Sequence, residues 1–149
     1  MKEPVVADST CLIALERIGS LEVLPALFEP VLIPPEVHRE FGAARPWLKV
    51  EAPANAALVS SLKLLVDNGE AEVIALASVR RIRAILDDRQ ARSVAMDLNL
   101  QVIGTLGCLL KAKQTGAITS VRSLIERLET EGFYLAAALK SEALRLARE

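Results

Sequence analysis

Four acidic residues of this 149-residue chain, Asp8, Glu40, Glu70 and Asp88, stand where carboxylates can do chemistry. Asp8 ends the apolar run Val5-Val6-Ala7, and Asp87-Asp88 ends a second one at Ala84 to Leu86. In an open parallel sheet the ligand site lies outside the carboxyl ends of the strands, which is where such residues fall. Both aspartates also precede helical patterns, and aspartate is a favoured N-cap, so position alone leaves two readings. Glu70 is followed at three, four and seven residues by Val73, Ile74 and Ala77, so it heads an apolar helical stripe and is expected to point inward. A carboxylate at a helix N-terminus is also favoured by the dipole. Glu72 falls on a different face of that helix. Glu40 lies near the end of a helix over Pro35 to Phe41, where the dipole disfavours a negative charge, whereas Glu36 in the first turn is well placed. Helix stability does not account for Glu40; a solvated surface glutamate and a functional one both do.

Four converging carboxylates would repel one another in a partly dry cleft unless they shared a proton or bound cations. Donors that are all oxygen, with neither histidine nor thiolate, suit hard divalent ions, chiefly Mg²⁺ or Mn²⁺, which keep waters and take further ligands from phosphate. The matching chemistry is phosphodiester hydrolysis. One ion lowers the pKa of a bound water, and a second can stabilise the leaving oxygen.

The elements that must position these acids alternate along the chain. Val5–Ala7 is a strand, followed by a helix carrying Leu12, Ile13, Leu15 and Ile18 up to Gly19. A second helix fits Leu21 to Phe28, Val31–Ile33 is a second strand, and Pro34-Pro35 opens the helix through Phe41. From Gly42 to Pro53 the composition predicts a connection around an extended piece at Leu48 to Val50. Helices over Leu58–Val66 and Glu70–Val79 are divided by Asp67-Asn68-Gly69. A strand at Ala84–Leu86, a helix over Arg89–Leu98, a short strand at Gln101–Ile103 and a helix from Gly104 through Gln114 follow. Two further helices lie near Ser120–Glu131 and Leu135–Arg148. Strands apolar on both faces and alternating with helices predict a three-layer α/β/α fold, with a central, mostly parallel sheet of four or five short strands.

Composition narrows the function classes. With 52% hydrophobic residues the chain can close one core, and its length suggests one domain, residues 1–149. No apolar run approaches the roughly 18 to 20 residues of a membrane span, and Met1 to Pro4 lack a secretory pattern, so a cytoplasmic location with no membrane contact is expected. A net charge of −1 offers no global basic field for a polyanion, so any nucleic-acid contact must be local. Cys11 and Cys108, isolated in apolar surroundings, read as buried free thiols. Arg80, Arg81, Arg83, Arg89 and Arg92 form the one basic cluster of note. They could bind phosphates or simply solvate a helix end, with Arg89 and Arg92 the nearest to the acids. Thr105, at the start of a helix in Gly104-Thr105-Leu106-Gly107, could meet a phosphate or act as a cap. His38, the sole histidine, reads as locally bonded rather than as a base, since a metal-activated water needs none.

These residues together resemble a PIN domain, and more narrowly the short bacterial and archaeal PIN-like proteins related to toxin ribonucleases of toxin–antitoxin pairs. The resemblance spans nearly the whole chain. It is carried by Val6-Ala7-Asp8-Ser9-Thr10 with Leu12 to Leu15, by Ile33-Pro34-Pro35-Glu36-Val37-His38-Arg39-Glu40, by Gly69-Glu70-Ala71-Glu72 through Ala77, and by Ile85-Leu86-Asp87-Asp88 through Arg92 and on to Gly107. It implies a PIN-like, Rossmann-like fold with Asp8, Glu40, Glu70 and Asp88 as the acidic catalytic and metal-site positions, and Asp87 as an alternative for Asp88. Ser9, Thr10, Arg89, Arg92 and Thr105 are the residues expected near RNA. The resemblance further implies RNA cleavage with Mg²⁺ or Mn²⁺, a homodimer, and a small antitoxin protein as partner. Two positions depart from the common pattern: the third acid is Glu70 rather than aspartate, and Leu86 replaces a threonine often found before the fourth acid.

A catalytically silent PIN-like module that binds nucleic acid or protein is the alternative these departures permit. A receiver-like phospho-acceptor also gathers acids and a threonine at strand ends, but it needs a lysine after a later strand, and none is placed there.

Overall fold

A computed structural model describes residues 2–149. Its elements run β1 (Glu3–Ala7), α1 (Ser9–Arg17), α2 (Val23–Leu27), β2 (Phe28–Ile33), α3 (Pro35–Phe41), β3 (Leu48–Val50) and α4 (Ala56–Leu62). They continue α5 (Asn68–Arg80), β4 (Arg83–Ile85), α6 (Arg89–Asp97), β5 (Val102–Ile103), α7 (Thr105–Gln114), α8 (Val121–Thr130) and α9 (Ala137–Leu146). The five strands form one all-parallel sheet in the order β3-β2-β1-β4-β5, flanked by helices as the alternation predicts.

Val5 and Val6 at the centre of β1 are fully buried because β1 has a strand on either side, Val5 pairing with Val31 of β2 and with Arg83 of β4. Such strands need apolar residues on both faces. Helices α3 and α4 each pack on α5, which also covers β1 and β4, while α2, α7, α8 and α9 form a second group, and α1 touches both α3 and α8. Phe28, Leu12, Ile74, Ile85 and Leu109 are among the largest side chains sealed in the core between these layers. Among the described residues no helix is long and apolar enough to cross a membrane.

Several boundaries differ from expectation, among them the helix expected over Leu58–Val66, which runs Ala56–Leu62. Phe28 is the first residue of β2 and not the end of a helix. Pro30 disfavours helical backbone at Glu29, so the chain is already extended before the apolar run begins. Helix α5 starts two residues before Glu70, because Asp67 caps it. Cys11 and Cys108 are buried and unbonded. A hydrogen bond that the Cys11 thiol donates to Cys108, together with burial, pushes the Cys11 thiol up.

Candidate functional site

Strand order reverses beside β1: the chain moves outward through β2 and β3, then returns to place β4 and β5 on the other side. The carboxyl ends of β1 and β4 therefore flank the switch point where open α/β sheets bind ligands. Asp8 leaves β1 there, and Asp87 and Asp88 leave β4 beside it, the Asp8 amide donating to Ile85 O at 3.2 Å.

Asp8 caps α1, its Oδ1 accepting from the Ser9 amide at 2.8 Å, yet only 4% of the residue is exposed. Burial, reinforced by repulsion from Glu70, Asp67 and Glu40, pushes its carboxyl up to about 7 against the bonding of the Ser9 amide. Glu70 points inward at 8% exposure, as its place at the head of the apolar stripe implies. It belongs to a capping box. The Glu70 amide donates to Asp67 Oδ1 at 2.8 Å, and the Asp67 amide donates to Glu70 Oε1 at 3.2 Å. Burial, then repulsion from Asp67 and Asp88, pushes Glu70 up to about 7 as well, against the bond from the Asp67 amide.

Glu40 reaches the same place from the last turn of α3. It is exposed, and Ser9 Oγ donates to its Oε1 at 3.2 Å. Asp88 is exposed as the cap of α6, accepting from the Ala91 amide at 2.9 Å. All four acids thus face one end of the sheet. Among the described residues none of them pairs with a lysine, arginine or histidine, whereas Glu3, Glu16, Glu51 and Glu149 each do.

Three of the expected site residues are engaged in contacts within the protein. Asp87 is not a second free acid: Oδ1 accepts from the Thr105 amide at 2.8 Å and Oδ2 from the Thr105 hydroxyl at 2.6 Å. Thr105, fully buried and spent on that pair, is closed to RNA. Arg92 sends Nη1 to Leu86 O at 2.9 Å and so satisfies the end of β4, while Arg89, next to Asp88, is exposed, and Thr10 is exposed on α1 beside Leu128 and Phe133. Two more arginines of the basic cluster are engaged in other contacts. Arg83 opens β4 and bonds Glu3 and Gln101 at the opposite edge, and Arg80 pairs with Glu51. At about 3.3 Å per residue, the length of β4 keeps Arg83 away from Asp88.

In sequence, Asp67 and Gly69 read as part of a divider between helices, with no role at the site. The signal was present for Asp67, since an acid three residues before Glu70 at a helix start is a capping-box spacing. Its proximity to Asp8 depends on tertiary packing.

Donor chemistry and charge fit a hard divalent cation. The carboxylates are oxygen donors without cationic partners, and the two buried ones hold on to protons to near neutrality. The side chains as they lie are more spread than a coordination sphere: among the described residues no group of three or more is arranged to hold a metal ion. A family model described as a PIN domain matches residues 4–149 of the chain. No curated protein matches it.

Proposed function

Because the chain belongs to the PIN-domain family, whose members are generally nucleases, we propose that it is a metal-dependent endoribonuclease with Asp8, Glu40, Glu70 and Asp88 as its acidic site. One observation carries the reading. Asp8 and Glu70 are both buried at the sheet's switch point, where they repel each other, and among the described residues neither pairs with a lysine, arginine or histidine, a costly arrangement that a bound Mg²⁺ or Mn²⁺ would relieve. When bound, such an ion supplies an activated water and offsets charge on the scissile phosphate.

The chain's own residues have divided tasks. Asp8 and Glu70 are fixed by capping bonds and by packing, so they form the rigid floor. Glu40 and Asp88, both exposed, form the rim, Glu40 accepting from Ser9 Oγ and Asp88 from the Ala91 amide. Thr10 on α1 and Arg89 on α6 are exposed and are the side chains available to the RNA backbone, the Ser9 hydroxyl being given to Glu40.

Action as the toxin of a toxin–antitoxin pair, and assembly as a homodimer, belong to the same reading. A groove of about 470 Å³ between α7 and α9, with Tyr134, Leu139 and Leu146 among its lining and all three well exposed, supports a protein partner. The spread of the carboxylates favours the second reading, a catalytically silent module. One experiment separates them. The purified protein is incubated with a broad RNA pool and Mn²⁺, then with EDTA, beside Asp8→Asn. Cleavage that EDTA and the variant both abolish supports the nuclease. No cleavage, with no Mn²⁺ binding that depends on Asp8, supports the module.

A further inference from the structure

Gly69, the second residue of α5, lies directly beneath the Glu40 carboxylate. A Cβ on it would stand 2.5 Å from Glu40 Oε1 and 3.4 Å from Glu40 Cδ. The first distance is well inside van der Waals contact, so any side chain at position 69 would evict that oxygen. Nothing else in the backbone calls for glycine there: the glycines with positive φ are Gly19, Gly42, Gly116 and Gly132, and helix propensity favours alanine. The oxygen that occupies the space is the one that accepts from Ser9 Oγ.

We infer that Gly69 and Ser9 are positioning residues for Glu40. The absent side chain leaves a berth at the N-terminus of the 13-residue helix α5, where exposed amides favour a carboxylate. The Ser9 hydroxyl, next to Asp8 in the chain, fixes which oxygen enters it. Glu40 is an exposed side chain with three rotatable bonds on the last turn of a helix, and without these two contacts nothing among its described hydrogen bonds would bring it to Asp8 and Glu70. Its consequence for metal binding rests on the function proposed above; the geometry does not.

The test uses the full chain carrying Gly69→Ala or Ser9→Ala, beside Glu40→Gln. In metal-free protein, the carboxyl carbon resonance of Glu40, assigned by its loss in Glu40→Gln, is expected to shift in both variants. In Mn²⁺ titration calorimetry, Gly69→Ala is expected to lose about tenfold or more in affinity, as residues that orient ligands do. Adding it to Glu40→Gln should cost nothing more. Because the displaced atom is the end of a flexible side chain, the melting temperature of Gly69→Ala should stay at or above that of the wild type. Shortening the acid, in Gly69→Ala with Glu40→Asp, should recover part of the affinity by clearing the new methyl. An unmoved Glu40 resonance in both variants, or wild-type Mn²⁺ affinity in both, overturns the inference. If the wild-type protein binds no Mn²⁺, the metal reading fails by itself, and the resonance alone decides the positioning.

Discussion

Asp87 and Thr105 hold each other by two hydrogen bonds, the threonine giving both its amide and its hydroxyl to one carboxylate. The pair joins the end of β4 to the start of α7 and separates two neighbouring aspartates into different jobs. Asp87 locks the loop, and Asp88 is left facing the acids.

Thr105→Val keeps the shape and the amide bond but strips one Asp87 oxygen of its donor. Loss of a hydrogen bond to a charged, part-buried group should cost about 1–3 kcal/mol, read as a lowered urea midpoint. Mn²⁺ affinity should stay near wild type. Asp88→Asn should do the reverse, weakening Mn²⁺ binding with little change in stability, since asparagine caps helices as well as aspartate. Equal metal loss in both variants would contradict this division.

Asp8→Asn removes a buried charge while retaining an oxygen to accept from the Ser9 amide. At pH 8 the metal-free variant should melt at a higher temperature than the wild type, although its Mn²⁺ binding and RNA cleavage are lost. A variant that melts lower at that pH would mean that the Asp8 charge is not a burden in the native state.

Asp8 and Glu70 shed protons near 7 rather than near 3.8 and 4.5. Between about pH 4 and about pH 7 the native state thus holds more protons than the unfolded chain, so these groups make stability fall as pH rises through that window and level off above it. Melting of metal-free protein in EDTA across pH 4.5 to about 8 reads this directly. The decline should be absent from Asp8→Asn with Glu70→Gln; a decline of the same size in that double variant would assign it to other groups.

Glu149 titrates in the opposite sense. Lys113 beside it and the amides of Val121 and Arg122, with the Ser120 hydroxyl, pull its carboxyl down to about 2. Its stabilising effect is present above the usual 4.5 and fades as pH falls toward about 2. Glu149→Ala should therefore lower the melting temperature at pH 7, with the difference from wild type shrinking under acid. A gap that stays constant down to pH about 2 would show that the carboxylate charge plays no part.

Much of the fold was legible because each strand is short, apolar and closed by a turn or an acid, and because Glu70 heads a stripe that can face only inward. Position in the chain served less well where side-chain reach decides the outcome. Asp87 and Asp88 are indistinguishable in sequence, and only the approach of Thr105, on a different helix, separates them. Arg83 and Asp88 are neighbours in the text but lie at opposite ends of a strand. Asp67 and Gly69 looked like a break between helices. What they do depends on α1 and α3, whose residues lie far away in sequence.

The central place of β1 also governs how the molecule is made. Strand β1 is made well before its partner β4, to which it pairs through Val5 and Arg83. Until β4 arrives, one edge of β1, apolar from Pro4 to Ala7, has no neighbour, and closing so long a loop is slow. The acids meet only when that edge is sealed. A nascent or truncated chain ending before β4 therefore has no assembled acidic site, and its open apolar edge makes it a target for chaperones and for aggregation.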